Sequence, residues 1–247
     1  MNYIKSELEQ KNICLIHGDC LEKMKDISNN YIDLILTDLP YGITQNKWDS
    51  IIPIDKLWEQ FNRISKEETI IVLTASQPFS SKLILSNIDN FKYEIIWEKT
   101  IGSGQLNIKR QPLKVHESIL IFYKKFNTYN EQKTIGEPYS IKRKVNFAEQ
   151  NYGKQKDSEK QNDGFRHAKS VIKLSNPRTK GGHPTQKPVE LMEYIIKTFS
   201  NENDIVLDCC MGSCSTGIAS KNLNRKFIGI ESDEKYFNMS LNNISKG

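Results

Sequence analysis

Ile32-Asp33-Leu34-Ile35-Leu36-Thr37-Asp38-Leu39-Pro40-Tyr41-Gly42 combines the pattern of a buried strand with a rigid, polar ending. Its apolar first half is typical of a strand buried on both faces of a parallel sheet. The residues that follow such a strand lie where open α/β sheets bind their ligands. Pro40 fixes its own backbone and favours an extended Leu39, which sets the position of Asp38 relative to Tyr41. This pattern fits a planar ligand with an amino group, although an ordinary strand end before a proline turn has the same pattern.

Length and composition indicate one large domain, or one domain with an inserted module. The chain has 247 residues, and its 37% of hydrophobic residues suffices for a packed core. No apolar run approaches the roughly 20 residues needed to span a bilayer, and the N-terminus has no signal-peptide core. We therefore expect a soluble, intracellular protein.

The five cysteines fall into two groups, Cys14 with Cys20 and then Cys209, Cys210 and Cys214. An odd number without regular spacing argues against a disulfide scaffold. The second group has neither a CxxC pair nor a nearby histidine, so we expect no zinc site and no other metal. We interpret the cysteines as small, mostly buried thiols in a reducing compartment.

Seven apolar runs have strand character, and helical patterns lie between most of them. The predicted strands are 13–17, 32–37, 69–74, 92–98, 117–123, 204–208 and 226–230. Apolar spacing predicts helices over 20–27, 54–64, 78–88, 188–199, 214–223 and 233–244. This alternation predicts an α/β fold with a largely parallel, doubly wound sheet.

The segment from residue 124 to residue 182 breaks this alternation. It has no long apolar run, and its 14 Lys and Arg against 6 Asp and Glu give a local balance of +8 in a chain with a total of +5. Concentrated positive charge is typical of a surface that binds a polyanion, although a solvated charged surface has the same composition. A span of this length without regular structure needs a reason. We interpret it as an inserted recognition module.

A second motif combines the predicted strand 204–208, a tight turn of small residues and a helix start. Such a turn lets backbone N–H groups and the helix N-terminus approach a ligand closely. The next predicted strand ends in Glu231, an acid placed to accept hydrogen bonds from ribose hydroxyls. The glycines do not fit the GxGxxG pattern of nicotinamide-binding proteins. The motif therefore predicts a site for another adenosine-type cofactor, with an ordinary βαβ turn as the alternative.

Four motifs together resemble those of the amino-group DNA methyltransferases, which methylate adenine N6 or cytosine N4. Thr37-Asp38-Leu39-Pro40-Tyr41-Gly42 resembles the catalytic Asp-Pro-Pro-Tyr motif. Asp208-Cys209-Cys210-Met211-Gly212-Ser213-Cys214-Ser215-Thr216 resembles the cofactor motif Asp-Pro-Phe-x-Gly-Ser-Gly-Thr. His183-Pro184-Thr185-Gln186-Lys187-Pro188 matches the His-Pro-x-Gln-Lys-Pro signature, and Gly18-Asp19 resembles the Gly-Asp before the catalytic strand. Their order along the chain is that of the circularly permuted beta class.

Four positions depart from the motifs of the family. Leu39 replaces the first proline of the catalytic motif, where relatives use the backbone carbonyl, so we expect its side chain to matter little. Cys209 and Cys210 replace Pro-Phe, and Cys214 replaces the second glycine of the cofactor motif. A positive φ at that position would strain Cys214.

The resemblance implies a Rossmann-like methyltransferase fold with a seven-stranded, largely parallel sheet and a circularly permuted order. Residues 1–123 would form the catalytic half and 183–247 the S-adenosylmethionine-binding half of one domain. Residues 124–182 would form the basic target-recognition insert. Such an enzyme is expected in the cytoplasm, encoded by a bacterium or a phage, and acting on nucleoid DNA.

The resemblance also implies roles for individual residues. Asp38 and the Leu39 carbonyl would accept hydrogen bonds from the two N6 hydrogens of adenine, and Tyr41 would stack on the flipped base. S-adenosylmethionine would supply the methyl group. The implied catalytic residues are Asp38, Leu39, Pro40 and Tyr41, and the implied cofactor-binding residues are Asp19, Cys20, Thr185, Lys187, Asp208, Cys209, Gly212, Ser213, Glu231 and Ser232.

Double-stranded DNA is the implied partner, and beta-class relatives suggest a homodimer and a cognate restriction endonuclease. The loop 99–104, whose glycines suggest a mobile lid, precedes two basic residues that are candidate phosphate contacts. The candidate DNA-binding residues are Lys109, Arg110, Lys142, Arg143, Lys144, Arg166, Lys169, Arg178 and Lys180.

The resemblance leaves several functions open. Cytosine N4 is the closest alternative to adenine N6, but a serine in place of Asp38 is more typical of the N4 enzymes of this class. Methyltransferases of RNA or protein glutamine usually carry Asn in the catalytic motif and place the cofactor motif first. A catalytically impaired DNA-binding relative is a third alternative. A C5-cytosine enzyme usually presents its nucleophile in a Pro-Cys pair, and no such pair occurs in this chain.

Overall fold

The structure, a computed structural model, describes residues 12–42, 51–126, 128–143, 157–176 and 186–246. It divides into two compact units, Met1–Asn130 with Ser170–Gly247, and Glu131–Lys169. The strands are β1 (Ile13–His17), β2 (Ile32–Asp38), β3 (Ser65–Ala75), β4 (Phe91–Ser103), β5 (Lys114–Phe122), β6 (Thr134–Ile135), β7 (Tyr139–Arg143), β8 (Ser158–Asn162), β9 (Phe165–Arg166), β10 (Val171–Leu174), β11 (Ile205–Asp208) and β12 (Lys226–Glu231). The helices are α1 (Cys20–Met24), α2 (Ile54–Ile64), α3 (Phe79–Ser86), α4 (Val189–Phe199), α5 (Ser215–Asn222) and α6 (Glu234–Lys246).

One eight-stranded sheet organises the first unit, with the strand order β1-β12-β11-β2-β3-β5-β4-β10. All neighbouring strands are parallel except β5, which runs antiparallel to both β3 and β4. Because parallel strands begin at one edge of a sheet and end at the other, β1, β12, β11 and β2 all end at the same edge. That edge carries the acidic residues Asp38, Asp208 and Glu231, which end β2, β11 and β12, and Asp19, which follows β1.

Helices cover both faces of this sheet, as the burial of alternating strand residues requires. On one face, Ile70 and Val72 of β3 belong to a core cluster that includes residues of α4, α5 and α6. On the other face, Ile71 and Leu73 join a cluster with residues of α1, α2 and α3. The central strands are therefore buried on both sides, which explains their continuous apolar sequences.

The second unit contains two short antiparallel pairs, β6 with β9 and β7 with β8. Arg166 holds this unit together internally. Its guanidinium donates hydrogen bonds to Asn162 Oδ1 at 2.5 Å and to the Glu137 carbonyl, and it lies 4.5 Å from the centre of the Tyr139 ring. The separate unit spans less of the chain than the segment 124–182 that we interpreted as an insert.

All seven predicted strands and all six predicted helices are present, with boundaries shifted by a few residues. The predicted count of seven strands in the main sheet was wrong, because β10 adds an eighth beside β4. Residues of the predicted insert therefore belong to the main sheet. The predicted loop 99–104 was also wrong over most of its length, since β4 continues to Ser103 and only Gly104, with φ of 91°, follows it.

Among the described residues, no helix has both the length and the apolar character needed to cross a membrane.

Candidate active site

Four carboxylates lie at the ends of four adjacent parallel strands. Asp38 ends β2, Asp208 ends β11, Glu231 ends β12, and Asp19 follows β1 by two residues. Neighbouring strands of a sheet are about 4.8 Å apart. The fold therefore brings together, along one edge, acids that the chain separates by up to 212 residues.

Both carboxylate oxygens of Asp38 accept hydrogen bonds from neighbouring side chains. Oδ1 accepts from the Tyr41 hydroxyl at 2.8 Å and from the hydroxyl of Thr74, the residue opposite Asp38 on β3. Oδ2 accepts from the Lys187 ammonium at 2.5 Å. These contacts orient the Asp38 carboxylate and place a fixed positive charge beside it.

Lys187 and Glu117 continue this network into the interior. The Lys187 side chain is 7% exposed and lies 3.3 Å from Glu117 Oε2, while Glu117 Oε1 accepts a hydrogen bond from Lys99. Burial alone would lower the pKa of Lys187, but the Asp38 and Glu117 charges raise it well above its usual value. Lys187 therefore stays protonated, and its buried charge has the opposite charges of Asp38 and Glu117 as neighbours, as burial requires.

Tyr41 is held beside Asp38 by its hydroxyl and by its ring. The ring lies 5.5 Å from that of Phe79, and the Lys187 ammonium is 5.9 Å from its centre. Burial and the Asp38 charge raise the pKa of the Tyr41 hydroxyl, which therefore remains a hydrogen-bond donor.

Leu39 packs inward from the turn, and the half-buried Pro40 follows it. The Leu39 side chain is only 3% exposed and belongs to the core cluster under α2 and α3. The expectation that this side chain matters little was therefore wrong with respect to packing, because its removal would leave a cavity below the turn.

Asp208 holds the turn after β11 in place. Its Oδ1 accepts from the Thr37 hydroxyl at 2.8 Å and from the Cys210 N–H at 3.1 Å, and its Oδ2 accepts from the Thr216 hydroxyl at 2.7 Å. Burial raises the pKa of Asp208 to about 6, although these hydrogen bonds favour the charged form. Thr37 also links this turn to the strand that carries Asp38.

The turn itself has two residues with positive φ, Gly212 at 50° and Cys214 at 71°. Cys214 is completely buried and caps α5 with its backbone in the left-handed conformation. The cofactor motif that this segment resembles has glycine at this position, the residue that adopts this conformation without strain. Cys214 therefore has the positive φ that we expected to strain its backbone. Gly217 must lack a side chain, because a Cβ there would collide with the Cys214 sulfur and the Phe227 ring.

Glu231 joins the cofactor-type turn to the end of β12. Its Oε2 accepts from the Gly212 N–H at 2.9 Å, and its Oε1 accepts from the Asp233 N–H at 2.8 Å. Burial raises the pKa of Glu231. Each oxygen has a second lone pair for a further donor, so the carboxylate can still bind a hydroxyl.

The remaining residues predicted to bind cofactor lie near this edge. Asp19 is exposed and caps α1, accepting from the Glu22 N–H at 3.1 Å. The carbonyl of the exposed Ser232 faces the His17 ring nitrogen at 3.1 Å. The carbonyl of the buried Ser213 accepts from the Asn243 amide at 3.0 Å. Thr185 lies outside the described residues.

The structure groups the cysteines differently from the sequence. The sulfur atoms of Cys20, Cys209 and Cys210 all lie within 4.8 Å of one another, whereas Cys214 is not part of this group. Hydrogen bonds from Cys209 and Cys210 lower the pKa of the Cys20 thiol to about 4. Because Cys20 is far from the other two in sequence, spacing alone gave no indication of this cluster.

Comparison with known proteins identifies the family. Residues 32–242 match the family model described as DNA methylase, which is well over half of the chain. The chain belongs to the N6-adenine/N4-cytosine DNA methylase family. The DNA adenine methyltransferase YhdJ of Escherichia coli is 31% identical over 93% of this chain and 82% of its own. The type II methyltransferase M1.MboII of Moraxella bovis is 28% identical over 90% of this chain and 92% of its own.

Solved structures agree with this assignment. The M1.HpyAVI complex with S-adenosylmethionine superposes with a TM-score of 0.65 at 29% identity, covering 94% of this methylase and 98% of that chain. The cytosine-N4-specific PvuII methyltransferase has a TM-score of 0.69 at 16% identity, covering 93% and 85% of the two chains. The second similarity shows the shared Rossmann-like fold.

The predicted DNA contacts of the methylase are only partly described. Lys109 and Arg110 are exposed in the loop between β4 and β5, and Lys142 and Lys169 are exposed in the second unit. Arg166 is half-buried by the internal contacts given above, and Arg143 ends β7. Lys144, Arg178 and Lys180 lie outside the described residues.

Sequence reasoning missed Glu117, Lys99 and Thr74 as neighbours of the catalytic motif of the methylase. It also placed Lys187 at the cofactor, whereas the structure pairs Lys187 with Asp38. The one available signal was Glu117, an acid at the start of the predicted strand 117–123. A charge at such a position needs a buried partner, but the sequence does not identify which one.

Proposed function

We propose that this methylase transfers a methyl group from S-adenosylmethionine to adenine N6 in duplex DNA, with the base flipped out of the helix. The observation that carries the proposal is the arrangement around Asp38. An oriented carboxylate, a tyrosine ring and a buried lysine lie one strand away from an adenosine-type turn.

The residues along the strand ends fit S-adenosylmethionine by their chemistry. This molecule presents hydroxyl, amine and ammonium donors, and Glu231 and Asp19 offer acceptors at neighbouring strand ends. Gly212 leaves the backbone of the turn open to close approach, and Asp208 fixes that turn. When bound, S-adenosylmethionine supplies an electrophilic methyl group. The complex of the related M1.HpyAVI with this molecule supports the assignment.

Asp38 would activate the amino group that accepts the methyl. The lone pair of adenine N6 is delocalised into the ring, so the nitrogen is a poor nucleophile. Acceptance of its two hydrogens by Asp38 and the Leu39 carbonyl would favour a more tetrahedral nitrogen. Positive charge develops on the N6 nitrogen during transfer. A carboxylate stabilises that charge best when its orientation is already fixed before the reaction. The contacts of Lys187, Tyr41 and Thr74 supply this fixed orientation.

Adenine is preferred over cytosine on two grounds. Position 38 carries Asp, whereas a serine at this position is more typical of the N4 enzymes of this class. YhdJ, whose printed description is DNA adenine methyltransferase, is 31% identical to this chain. Cytosine N4 remains the alternative acceptor, because the family contains both chemistries and the same acceptors suit either amine.

Two further assignments extend this proposal. The catalytic strand β2 precedes the cofactor strand β11 in the chain, which supports the permuted order. We also propose that the basic segment within 124–182 contacts DNA, with phosphate contacts positioning the duplex and base-edge contacts selecting the sequence. A homodimer and a cognate restriction endonuclease are the associations that fit a type II enzyme of this kind.

The acceptor is tested directly by methylating duplex DNA with a cofactor labelled in its methyl group. Digestion to nucleosides and chromatography then identify the modified base. N6-methyladenine is the expected product. If the product is N4-methylcytosine, the alternative acceptor replaces adenine N6. If the chain binds the cofactor but the duplex acquires no label, methyl transfer to DNA is contradicted.

The role of Asp38 is tested by Asp38→Ala. We expect kcat to fall by about 100-fold or more, the scale for loss of one oriented transition-state contact, while the dissociation constants for cofactor and DNA stay nearly constant. Asp33→Asn is the matched control, because Asp33 lies on the same strand but bonds Lys66 and the Ile205 N–H instead. A near-normal rate for Asp38→Ala would exclude the mechanism.

A further inference from the structure

Cys20, Cys209 and Cys210 form a compact three-sulfur cluster that the methyl-transfer chemistry does not use. Cys20 begins α1, and the other two residues form the turn directly after β11. All three sulfur atoms lie within 4.8 Å of one another, and the Cys209 and Cys210 sulfurs are 4.0 Å apart. None of the three is in a disulfide. Three thiols from two distant parts of the chain therefore point to one place.

The spacing of the sulfurs matches a metal site. A metal ion bound to three sulfurs at about 2.3 Å each, in one plane, requires sulfur–sulfur distances of about 4.0 Å. The Cys209 and Cys210 sulfurs have this separation, and because each lies within 4.8 Å of the Cys20 sulfur, small side-chain shifts suffice to bring all three to it. Within the described residues, no His, Asp or Glu joins the cluster. An all-sulfur set selects soft ions such as Zn²⁺ and Cu⁺ over Mg²⁺ or Ca²⁺.

We propose that Cys20, Cys209 and Cys210 bind a thiophilic metal ion of this class. Each cysteine coordinates as its thiolate, and any of the three that is still protonated gives its proton to solvent when the ion binds. Cys20 and Cys209 are 6% and 2% exposed, whereas Cys210 is only half-buried. The ion therefore enters from the side of Cys210, and Zn²⁺ can hold a water molecule as its fourth ligand there.

The site has a consequence for activity that rests on the proposed function. Cys209 and Cys210 follow Asp208 in the cofactor-type turn, and Cys20 follows Asp19. A bound ion would tie this turn to the start of α1 and restrict access of the cofactor. Metal occupancy would then lower the affinity for S-adenosylmethionine, and chelation would restore it.

Metal binding is measured first, on the full chain reduced and freed of metal. Zn²⁺ and Cu⁺ are each titrated in competition with a chromophoric chelator, which determines the preferred ion, and Co²⁺ reports the number of thiolates by its charge-transfer absorption. We expect one ion per chain. Cys20→Ser, Cys209→Ser and Cys210→Ser each remove a direct ligand, so each should weaken binding by more than the roughly 10–100-fold that loss of an outer-shell partner costs. Cys14→Ser is the matched control, because Cys14 lies within β1 and outside the cluster, and it should bind like the parent.

Far-ultraviolet circular dichroism and thermal melting of the metal-free variants establish that each is folded. A second series with alanine in place of serine removes any coordination by the introduced hydroxyl. Absence of stoichiometric binding, or loss of binding in only two of the three variants, would overturn the three-sulfur site. Titration of the metal-free chain with S-adenosylmethionine tests the proposed function separately. If the metal binds but the cofactor affinity does not change, the site stands and its inhibitory role is wrong.

Discussion

At the scale of single residues, the turn that follows β11 contains two features that lower the stability of the folded methylase. Cys214 has a left-handed backbone where the family motif has glycine. Asp208 is almost completely buried as a carboxylate, with three hydrogen bonds to compensate. Both features lie between residues 208 and 214, and each should have a measurable effect on the free energy of unfolding.

Cys214→Gly should be more stable than Cys214→Ala. Both changes remove the sulfur and its buried contacts, but only glycine relieves the left-handed conformation, which costs roughly 1–2 kcal/mol for a residue with a side chain. We expect a difference of about 1 kcal/mol in the free energy of unfolding, since glycine also gains entropy in the unfolded chain. Urea titration of the two variants measures it. Equal stability would show that the turn relaxes around alanine.

Asp208 should make stability depend on pH. Its pKa is raised from the ordinary 3.8 to about 6, so the native state holds the proton more tightly than the unfolded chain. This contribution to stability is complete below pH 3.8 and is lost as the pH rises to about 6. At about 1.4 kcal/mol for each unit of pKa, the loss is about 3 kcal/mol.

Asp208→Asn removes this titration and so provides the comparison. Relative to that variant, the parent should lose about 2 kcal/mol of unfolding free energy between pH 4 and pH 7, since a small part of the total is already lost at pH 4. Urea titrations across this range measure the difference. A constant difference between the two proteins would mean that Asp208 titrates with the same pKa in the folded and unfolded states.

The residues around Asp38 mark the limit of sequence reasoning at this scale. Asp38, Tyr41 and Glu231 could be assigned because each follows an apolar run that ends at the sheet edge. Glu117 and the clustering of Cys20 with Cys209 and Cys210 could not be foreseen, because both depend on which strands become neighbours. Lys187 was assigned to the cofactor site, and its bond to Asp38 could not be foreseen because it joins residues 149 positions apart.

At the scale of elements, burial decided how well each strand could be predicted. β2, β3 and β11 have continuous apolar sequences because helices cover both of their faces. β10 is four residues long, with only Ile172 and Leu174 partly buried, so its sequence has little to distinguish it from a loop. Its position is fixed by tertiary contacts, including the bond from the Trp97 indole N–H to the Leu174 carbonyl at 3.0 Å.

Hydrogen exchange should follow the same order. Amides of β11 and the centre of β2 lie in the middle of the sheet, and we expect them to exchange only through global unfolding. Amides of β10, at the sheet edge, should exchange much faster through local opening. Exchange followed by mass spectrometry or NMR resolves the two groups. Equal protection of β10 and β11 would contradict the assignment of β10 as a marginal edge strand.

At the scale of the whole molecule, strand direction places basic residues beside the active-site edge. β4 is antiparallel to β5, and β5 is antiparallel to β3, so β4 runs in the same direction as β2. The loop after β4 therefore leaves the sheet at the edge where Asp38 lies. Lys109 and Arg110 in this loop are both exposed.

The double variant Lys109→Ala, Arg110→Ala should weaken DNA binding and reduce its salt dependence. Each phosphate contact contributes about 0.9 to the slope of log K against log salt, so loss of two should reduce the slope by about 2. Lys226→Ala is the matched control, because Lys226 is the exposed first residue of β12, at the opposite edge of the sheet. An unchanged slope in the double variant would place the DNA elsewhere.

Asn130 and Ser170, the residues of the sheet domain that flank the second unit in the chain, are both hydrogen-bonded within the sheet domain. The Asn130 side chain donates to the carbonyls of Lys197 and Ser200, at the end of α4. The Ser170 carbonyl accepts from the Ile96 N–H of β4 at 2.7 Å. The bonds that fix both ends of residues 131–169 therefore lie outside that segment. We expect that exchanging it for the corresponding segment of a relative would leave the sheet domain folded and, on the recognition role proposed above, would change the sequence that is methylated.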